Sequence, residues 1–238
     1  MKKFSWSVWM LILMTSISCK TNTEKSESNT KRIAEVPTDF QSQLHAGMQA
    51  IQAYRENKQA DSTQRKELLD AAVIHFEKAS QIDSTNQDLC FLLGNAYYLS
   101  SSYYRAMSAF EKYNRLWPGN AGVANNLRVT YREVAKAELY NENNPLSAKT
   151  FIDKSLSMNP NDLQTLELLG VSMARLSNFD TALIVLKQVI EKNPKAATAM
   201  TNASIVYTKM DMIEEAKKYI KMAQAIDPRL NNPMLEGK

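Results

Sequence analysis

Two cysteines and two histidines are the residues of this chain best suited to nucleophilic or metal chemistry. His45 and His75 are 30 residues apart in separate predicted helices, with no Cys or carboxylate at metal-ligand spacing. Cys90 has apolar neighbours, which favour a buried thiol over a reactive one of low pKa. The sequence also has no glycine-rich phosphate loop, nucleophile elbow or Cys-x-x-Cys. We therefore predict that the protein is not an enzyme and has no cofactor, metal or small-molecule substrate.

Cys19 is the second thiol, and it ends a segment with the order of an export signal. Lys2 and Lys3 precede an apolar stretch, residues 4–17, that is short for a membrane-spanning helix. Ser-Ile-Ser-Cys at 16–19 resembles the lipobox of bacterial lipoproteins, with Ser16 where that family most often has Leu. The resemblance implies a signal peptide at 1–18 and acylation of the Cys19 thiol, which would anchor the protein in a membrane. A plain secretory signal and a short uncleaved anchor are the alternatives.

Residues 20–38 are mostly Ser, Thr, Asn, Lys and Glu, and contain few apolar side chains. Such a segment cannot bury enough surface to fold. We predict that residues 19–38 form a lipidated flexible tether. The whole chain carries a formal charge of +4, from 29 basic and 25 acidic residues, and this balance does not indicate a nucleic-acid partner.

The remainder of the chain repeats in a common register. Prolines at Pro118, Pro160, Pro194 and Pro228 follow at intervals of 42, 34 and 34 residues. Alanines at Ala72, Ala106, Ala148, Ala182 and Ala216 follow at 34, 42, 34 and 34. Leu93-Gly94 recurs as Leu169-Gly170 after 76 residues. This pattern resembles the tetratricopeptide repeat (TPR), whose period is about 34 residues.

The resemblance implies an all-α fold, a right-handed superhelical solenoid of antiparallel helix pairs. The predicted solenoid covers residues 39–230 in about five units, at 39–86, 87–120, 121–162, 163–196 and 197–230, followed by a tail at 231–238. Glycines and alanines are expected to let paired helices touch, and each proline to end the second helix of its unit. Asn86, Asn120 and Asp162 are expected to cap the helices that follow them.

The third unit has 42 residues, eight more than the period. Asn144-Pro145 is typical of a helix start, so the extra residues fall before it and predict a first helix longer by about two turns. A flexible insertion loop is the alternative. Arg128 occupies the usual glycine place of this unit, which predicts looser pairing there. In the first unit, the polar stretch 57–66 predicts a loop between the helices.

The family's concave groove, lined by the first helix of each pair, is the predicted binding site for a protein or peptide. The residues of this chain at the repeat positions that line the groove in the family are Phe91, Asn95, Tyr98, Leu99, Asn125, Asn126, Val129, Arg132, Glu133, Glu167, Val171, Arg175, Thr201, Asn202, Ile205 and Lys209. Asn126 and Asn202 share the offset at which the family often binds a peptide backbone, although they could simply face water. Phe91 and Tyr98 share a helix face, which is either an exposed apolar anchor site or part of the core.

The resemblance leads to a functional hypothesis. We expect a membrane-anchored, non-enzymatic adaptor of the bacterial cell envelope, on the periplasmic face of the outer membrane, as an accessory subunit of an assembly or secretion machine. The family's clamp for a C-terminal carboxylate is not expected, because this chain has Phe91, Gln164 and Leu168 at positions where the clamp requires Lys or Arg. The alternatives are a chaperone-like holder of unfolded or peptide clients and a structural subunit covered by other chains.

Overall fold

The computed structural model describes residues 39–235, which form ten α-helices in five antiparallel hairpins and contain no strand. The helices are α1 (Phe40–Glu56), α2 (Ser62–Ile82), α3 (Gln87–Leu99), α4 (Tyr103–Leu116), α5 (Ala121–Tyr140), α6 (Pro145–Met158), α7 (Leu163–Arg175), α8 (Phe179–Lys192), α9 (Ala197–Lys209) and α10 (Ile213–Gln224), followed by the 3-10 turn Pro233–Leu235. Each helix packs on the next along the chain, which gives a solenoid. The predicted signal peptide, Cys19 and the tether lie outside the described residues.

The three predicted caps, Asn86, Asn120 and Asp162, are confirmed at the starts of α3, α5 and α7. The side chain of Asn86 accepts from the Leu89 N–H at 2.9 Å, and that of Asp162 accepts from the Gln164 N–H at 3.2 Å. These contacts satisfy amides that have no partner within the helix. Between residues 39 and 235, no helix is both long enough and apolar enough to cross a membrane.

Close approach within the hairpins depends on the predicted small residues. A Cβ added at Gly94 would lie 2.6 Å from Cε1 of Phe110, and one added at Gly170 would lie 2.6 Å from Cγ of Leu186. Ala106 of α4 is completely buried. The large side chain on the second helix thus fills the space that a glycine leaves on the first.

The long first helix of the third hairpin is confirmed, since α5 has 20 residues where α3, α7 and α9 each have 13. The predicted looser pairing at Arg128 is wrong. Counted back from the end of the helix, Ala135 takes the glycine place, and it is completely buried in a cluster with Ala148 and Ile152. Arg128 still contacts α6, because its carbonyl accepts a hydrogen bond from the Ser155 hydroxyl at 3.1 Å.

The loop of the first hairpin is shorter than the polar stretch 57–66 predicts. α2 already begins at Ser62. The reason is a capping box at its start, where Asp61 accepts from the Gln64 N–H and the Gln64 side chain accepts from the Asp61 N–H. Only residues 57–61 connect the two helices.

Candidate functional site

The predicted groove residues lie on α3, α5, α7 and α9, the first helices of the last four hairpins. Most of them are half-buried, whereas Asn125, Arg175 and Lys209 are exposed. Nine of the sixteen line one of two pockets.

The first pocket, of about 100 Å³, lies between α3 and α5 and is lined by Asn95, Tyr98, Phe110, Asn126 and Val129. The Asn126 side-chain amide donates to Oδ1 of Asn95 at 3.0 Å. This contact holds both amides in place. Asn126 retains a second amide hydrogen and its carbonyl oxygen for a ligand.

The second pocket, of about 280 Å³, lies between the end of α5 and the helices α7 and α9. Its lining residues are Tyr140, Val171, Ala174, Arg175, Leu186, Asn202, Ile205, Val206 and Lys209. The Asn202 amide donates to Oε1 of Glu167 at 3.2 Å, so both predicted asparagines bridge neighbouring first helices. Burial raises the pKa of Glu167, and hydrogen bonds from Thr198 and Asn202 oppose that shift.

A charged cluster occupies α5 between the positions that line the two pockets. Asp162, the cap of α7, forms ion pairs with Arg128 and, at 3.4 Å, with Arg132. Glu133 lies 3.4 Å from Arg132 and 3.2 Å from Lys136. The side chains of Arg128, Arg132, Glu133 and Asp162 are at most 16% exposed. Arg128 and Arg132 therefore join α5 to the cap of α7, whereas Glu133 pairs with residues of its own helix. Arg132 and Glu133 are less available to a ligand than predicted.

The aromatic pair on α3 belongs partly to the core. Phe91 contacts Tyr113 edge-on, with 6.4 Å between ring centroids, and Tyr98 contacts Tyr103 in the same manner at 5.6 Å. Burial, followed by the charge of Glu133, raises the pKa of Tyr98. Phe91 is thus a packing residue, and Tyr98 is the one of the two that lines a pocket.

Three further predicted residues lie outside the two pockets. Leu99 borders a surface depression shared with the first hairpin. Oδ1 of the Asn125 side chain accepts from the Arg128 guanidinium at 2.9 Å, and the Thr201 hydroxyl donates to the Ala197 carbonyl at 3.0 Å within its own helix.

Of the pocket-lining residues that the sequence did not predict, Tyr140 is the exposed one, whereas Phe110, Ala174, Leu186 and Val206 are buried or half-buried. The Arg175 guanidinium lies 5.2 Å from the centroid of the Tyr140 ring, donates to Oδ1 of Asn143 at 3.0 Å, and donates to the Leu139 carbonyl. In the third unit, the groove offsets run from the start of α5 and do not reach its last two turns. Because of the eight extra residues, only a count from the end of the helix finds the residues that face α7.

The remaining chemistry-bearing residues have structural partners. Nδ1 of His75 lies 2.8 Å from Oε1 of the buried Gln43, which joins α1 to α2. Burial raises the pKa of the Cys90 thiol. Within residues 39–235, no cluster of three His, Cys, Asp or Glu side chains could hold a metal ion.

The fold is similar to those of solved tetratricopeptide proteins. A MamA AMB-1 structure is 22% identical over 84% of this chain and 100% of its own, with a TM-score of 0.54. A further MamA structure is 16% identical over 78% and 93%, with a TM-score of 0.56. YrrB, described as a TPR protein with an unusual peptide-binding site, is 24% identical over 77% and 95%, with a TM-score of 0.51. No family model and no curated protein matches the chain.

These similarities and the five stacked hairpins define the class. The chain has the TPR solenoid fold. The identities are low, so the similarity describes the architecture and carries no ligand from one protein to the other.

Proposed function

We propose that this protein is a non-enzymatic adaptor that binds an extended peptide segment of a partner protein in the groove formed by α3, α5, α7 and α9. The observation that carries the proposal is the pair of amide bridges, Asn126 to Asn95 and Asn202 to Glu167. Each bridge uses one amide hydrogen of its asparagine. The other hydrogen and the carbonyl oxygen match the acceptor and donor of a peptide bond, and the amide is already oriented.

The second pocket favours a particular kind of segment. Its floor is apolar, with Val171, Ile205 and Val206, while Arg175 and Lys209 provide positive charge at its edge. An apolar side chain could fill the floor, and a neighbouring carboxylate would be attracted by the two cations. The proposed ligand is therefore an extended segment with an apolar anchor next to an acidic residue.

The proposal includes anchoring through Cys19 in the cell envelope of a bacterium, on the periplasmic side of the outer membrane. It rests on the lipobox-like residues 16–19. Confinement to a bilayer raises the effective concentration of groove and partner for each other. An accessory role in an outer-membrane assembly or secretion machine follows as the proposed context.

Capture of partners from native membranes, followed by mass spectrometry, tests the groove. The double variant Asn126→Ala with Asn202→Ala should lose the dominant partner and keep its helicity, with a modest fall in melting temperature because both bridges between helices are removed. Gln81→Ala, an exposed amide on the second helix α2, is the matched control and should capture as well as the native chain. Unchanged capture by the double variant would contradict the groove assignment. Recovery of many unrelated clients in place of one dominant partner would favour a chaperone-like holder.

A further inference from the structure

Glu167 is an acidic residue of the groove whose charge the Asn202 bridge does not neutralise. It lies near the start of α7, four residues before Val171 and eight before Arg175, and these residues share one side of the helix. Its carboxylate accepts from the Asn202 amide at 3.2 Å, and Asn202 also lines the second pocket. Glu167 therefore borders the second pocket at the end that is opposite to Arg175.

Within the part of the chain that the structure describes, no cation pairs with this carboxylate. The hydrogen-bond partners of Glu167 are the neutral side chains of Thr198 and Asn202. Lys136, on the neighbouring helix α5, pairs with Glu133 at 3.2 Å instead. Burial raises the pKa of Glu167, because the ionised carboxylate loses hydration and gains no opposite charge in return. A cation supplied by a ligand would restore that balance.

The opposite end of the second pocket is positively charged. Arg175 on α7 and Lys209 on α9 occupy the same repeat position, 34 residues apart, and both line the pocket. Val171 and Ile205 are related in the same way and lie one helical turn before them. Along α7 and α9, the groove thus presents an acid, then an apolar floor, then two cations.

The spacing of these groups fits an extended peptide. Glu167 and Arg175 are eight residues apart, which is about 12 Å along a helix that rises about 1.5 Å per residue. In an extended chain, alternate side chains face the same side and each residue advances about 3.3 Å, so positions i to i+4 span about 13 Å. One face of such a peptide can therefore place three side chains over the acid, the apolar floor and the cations.

We propose that Glu167 sets the charge order of the ligand, so that the bound segment carries a basic, an apolar and an acidic residue at alternate positions. The Lys or Arg of the ligand pairs with Glu167, and its Asp or Glu lies at Arg175 and Lys209. This inference rests on the proposed function, to which it adds a basic residue that the groove alone does not require. A segment with acidic residues on both sides of the anchor is disfavoured, because one carboxylate would lie beside Glu167.

Selection from a phage-displayed library of random nine-residue peptides tests the charge order, with the full chain in detergent as the target. The native chain should enrich peptides in which a basic and an acidic residue lie two positions to either side of an apolar one. Glu167→Gln keeps the side-chain volume and an acceptor for Asn202, so it should lose only the basic preference. Lys209→Gln should weaken only the acidic preference. Glu191→Gln, at an exposed residue of the second helix α8, is the matched control and should select as the native chain does.

The affinities of two peptides measure the size of the effect. They are the peptide that the native chain enriches most and its copy with Gln in place of the basic residue, compared by fluorescence anisotropy. The native chain should bind the basic peptide roughly 10-fold more tightly, which corresponds to about 1.4 kcal/mol. Glu167→Gln should bind both peptides equally.

The outcomes separate this inference from the groove proposal. Enrichment of apolar and acidic residues without a basic one, or the same basic preference in Glu167→Gln as in the native chain, would overturn the charge order and leave the peptide groove standing. A library that yields no binding peptide would contradict the extended-peptide ligand, and the charge order with it.

Discussion

The Tyr131 hydroxyl donates a hydrogen bond to Oε1 of Glu111 at 2.7 Å, and this bond joins the third hairpin to the second. The same relationship occurs one hairpin earlier, where Tyr97 donates to Glu77 at 2.8 Å. Each glutamate also has a cation nearby. Lys154 lies 3.3 Å from Glu111, and Arg105 forms an ion pair with Glu77. The tyrosine of the repeat thus has two functions, filling the space between helices and fixing one unit against the next.

Tyr131→Phe should lower the free energy of unfolding by about 1–2 kcal/mol, because the variant keeps the buried ring and loses a hydrogen bond to a charged acceptor. Urea unfolding followed by circular dichroism measures the change. Tyr103→Phe is the control, since the Tyr103 hydroxyl contacts only the exposed Ser101 hydroxyl at 3.4 Å. Equal stability of the two variants would show that the contact to Glu111 contributes nothing.

The tyrosine–glutamate pairs also predict a loss of stability at high pH. Burial, and then the Glu77 carboxylate, raises the pKa of Tyr97 from 10.0 to about 12. A phenol whose pKa is raised by folding contributes stability below the pKa of the unfolded chain and loses that contribution as the pH rises from about 10 to about 12. Urea unfolding across this range should therefore show a steeper fall for the native chain than for Tyr97→Phe. If the free energy of unfolding falls with pH at the same rate in both proteins, the Tyr97 hydroxyl makes no such contribution.

The architecture could be predicted from the sequence because the repeat positions are set by local packing. Paired helices can approach closely only where small residues such as Gly94 and Ala106 lie between them. The repeat of small residues is therefore present in the sequence whatever the protein binds. The long α5 could be predicted from the same register. The packing of the chain end on the last hairpin could not, because Asn232 lies after the last repeat and donates to the hydroxyls of Thr208 and Ser204, which are 24 and 28 residues away.

Gly94→Ala tests the packing argument directly. The new methyl group would lie 2.6 Å from the Phe110 ring, which is completely buried and cannot move freely, so we expect a loss of about 1–3 kcal/mol in the free energy of unfolding. At Gly122 the same change meets only the Asn120 side-chain oxygen, at 3.2 Å, and should alter stability by about 1 kcal/mol or less. If Gly94→Ala is as stable as Gly122→Ala, close approach is not the reason for the glycine.

The groove could be predicted only in part, for a reason that α5 illustrates. Offsets from the start of that helix gave Asn126 and Val129, which line the pocket between α5 and α3. The same count gave Arg132 and Glu133, which the structure places largely in an ion-pair cluster with Asp162. Because α5 has two extra turns, the residues that face α3 are found by counting from its start and those that face α7 by counting from its end. A single set of repeat positions cannot give both groups.

Tyr140→Ala tests the exposed pocket residue that the sequence did not predict. The residue is 54% exposed, so we expect little change in melting temperature. Capture of the groove partner should fall roughly 30-fold or more if the ring is a central contact, which corresponds to about 2 kcal/mol. Leu146→Ala, at a residue of α6 that is 66% exposed, is the control for the loss of a surface apolar group. Equal capture by both variants would show that Tyr140 is not part of the binding site.

Cys19→Ser tests the proposed anchor. Only a thiol can carry the thioether-linked lipid of a bacterial lipoprotein, and two or more acyl chains hold a protein stably at a bilayer where one does not. The variant should lose labelling by a fatty-acid analogue and should leave the membrane fraction after cell disruption. Cys90→Ser is the control for loss of a thiol, because Cys90 is buried within α3 and should not affect acylation. A Cys19→Ser chain that stays in the membrane fraction without label would indicate an uncleaved anchor, because residues 4–17 would then hold the chain without any lipid.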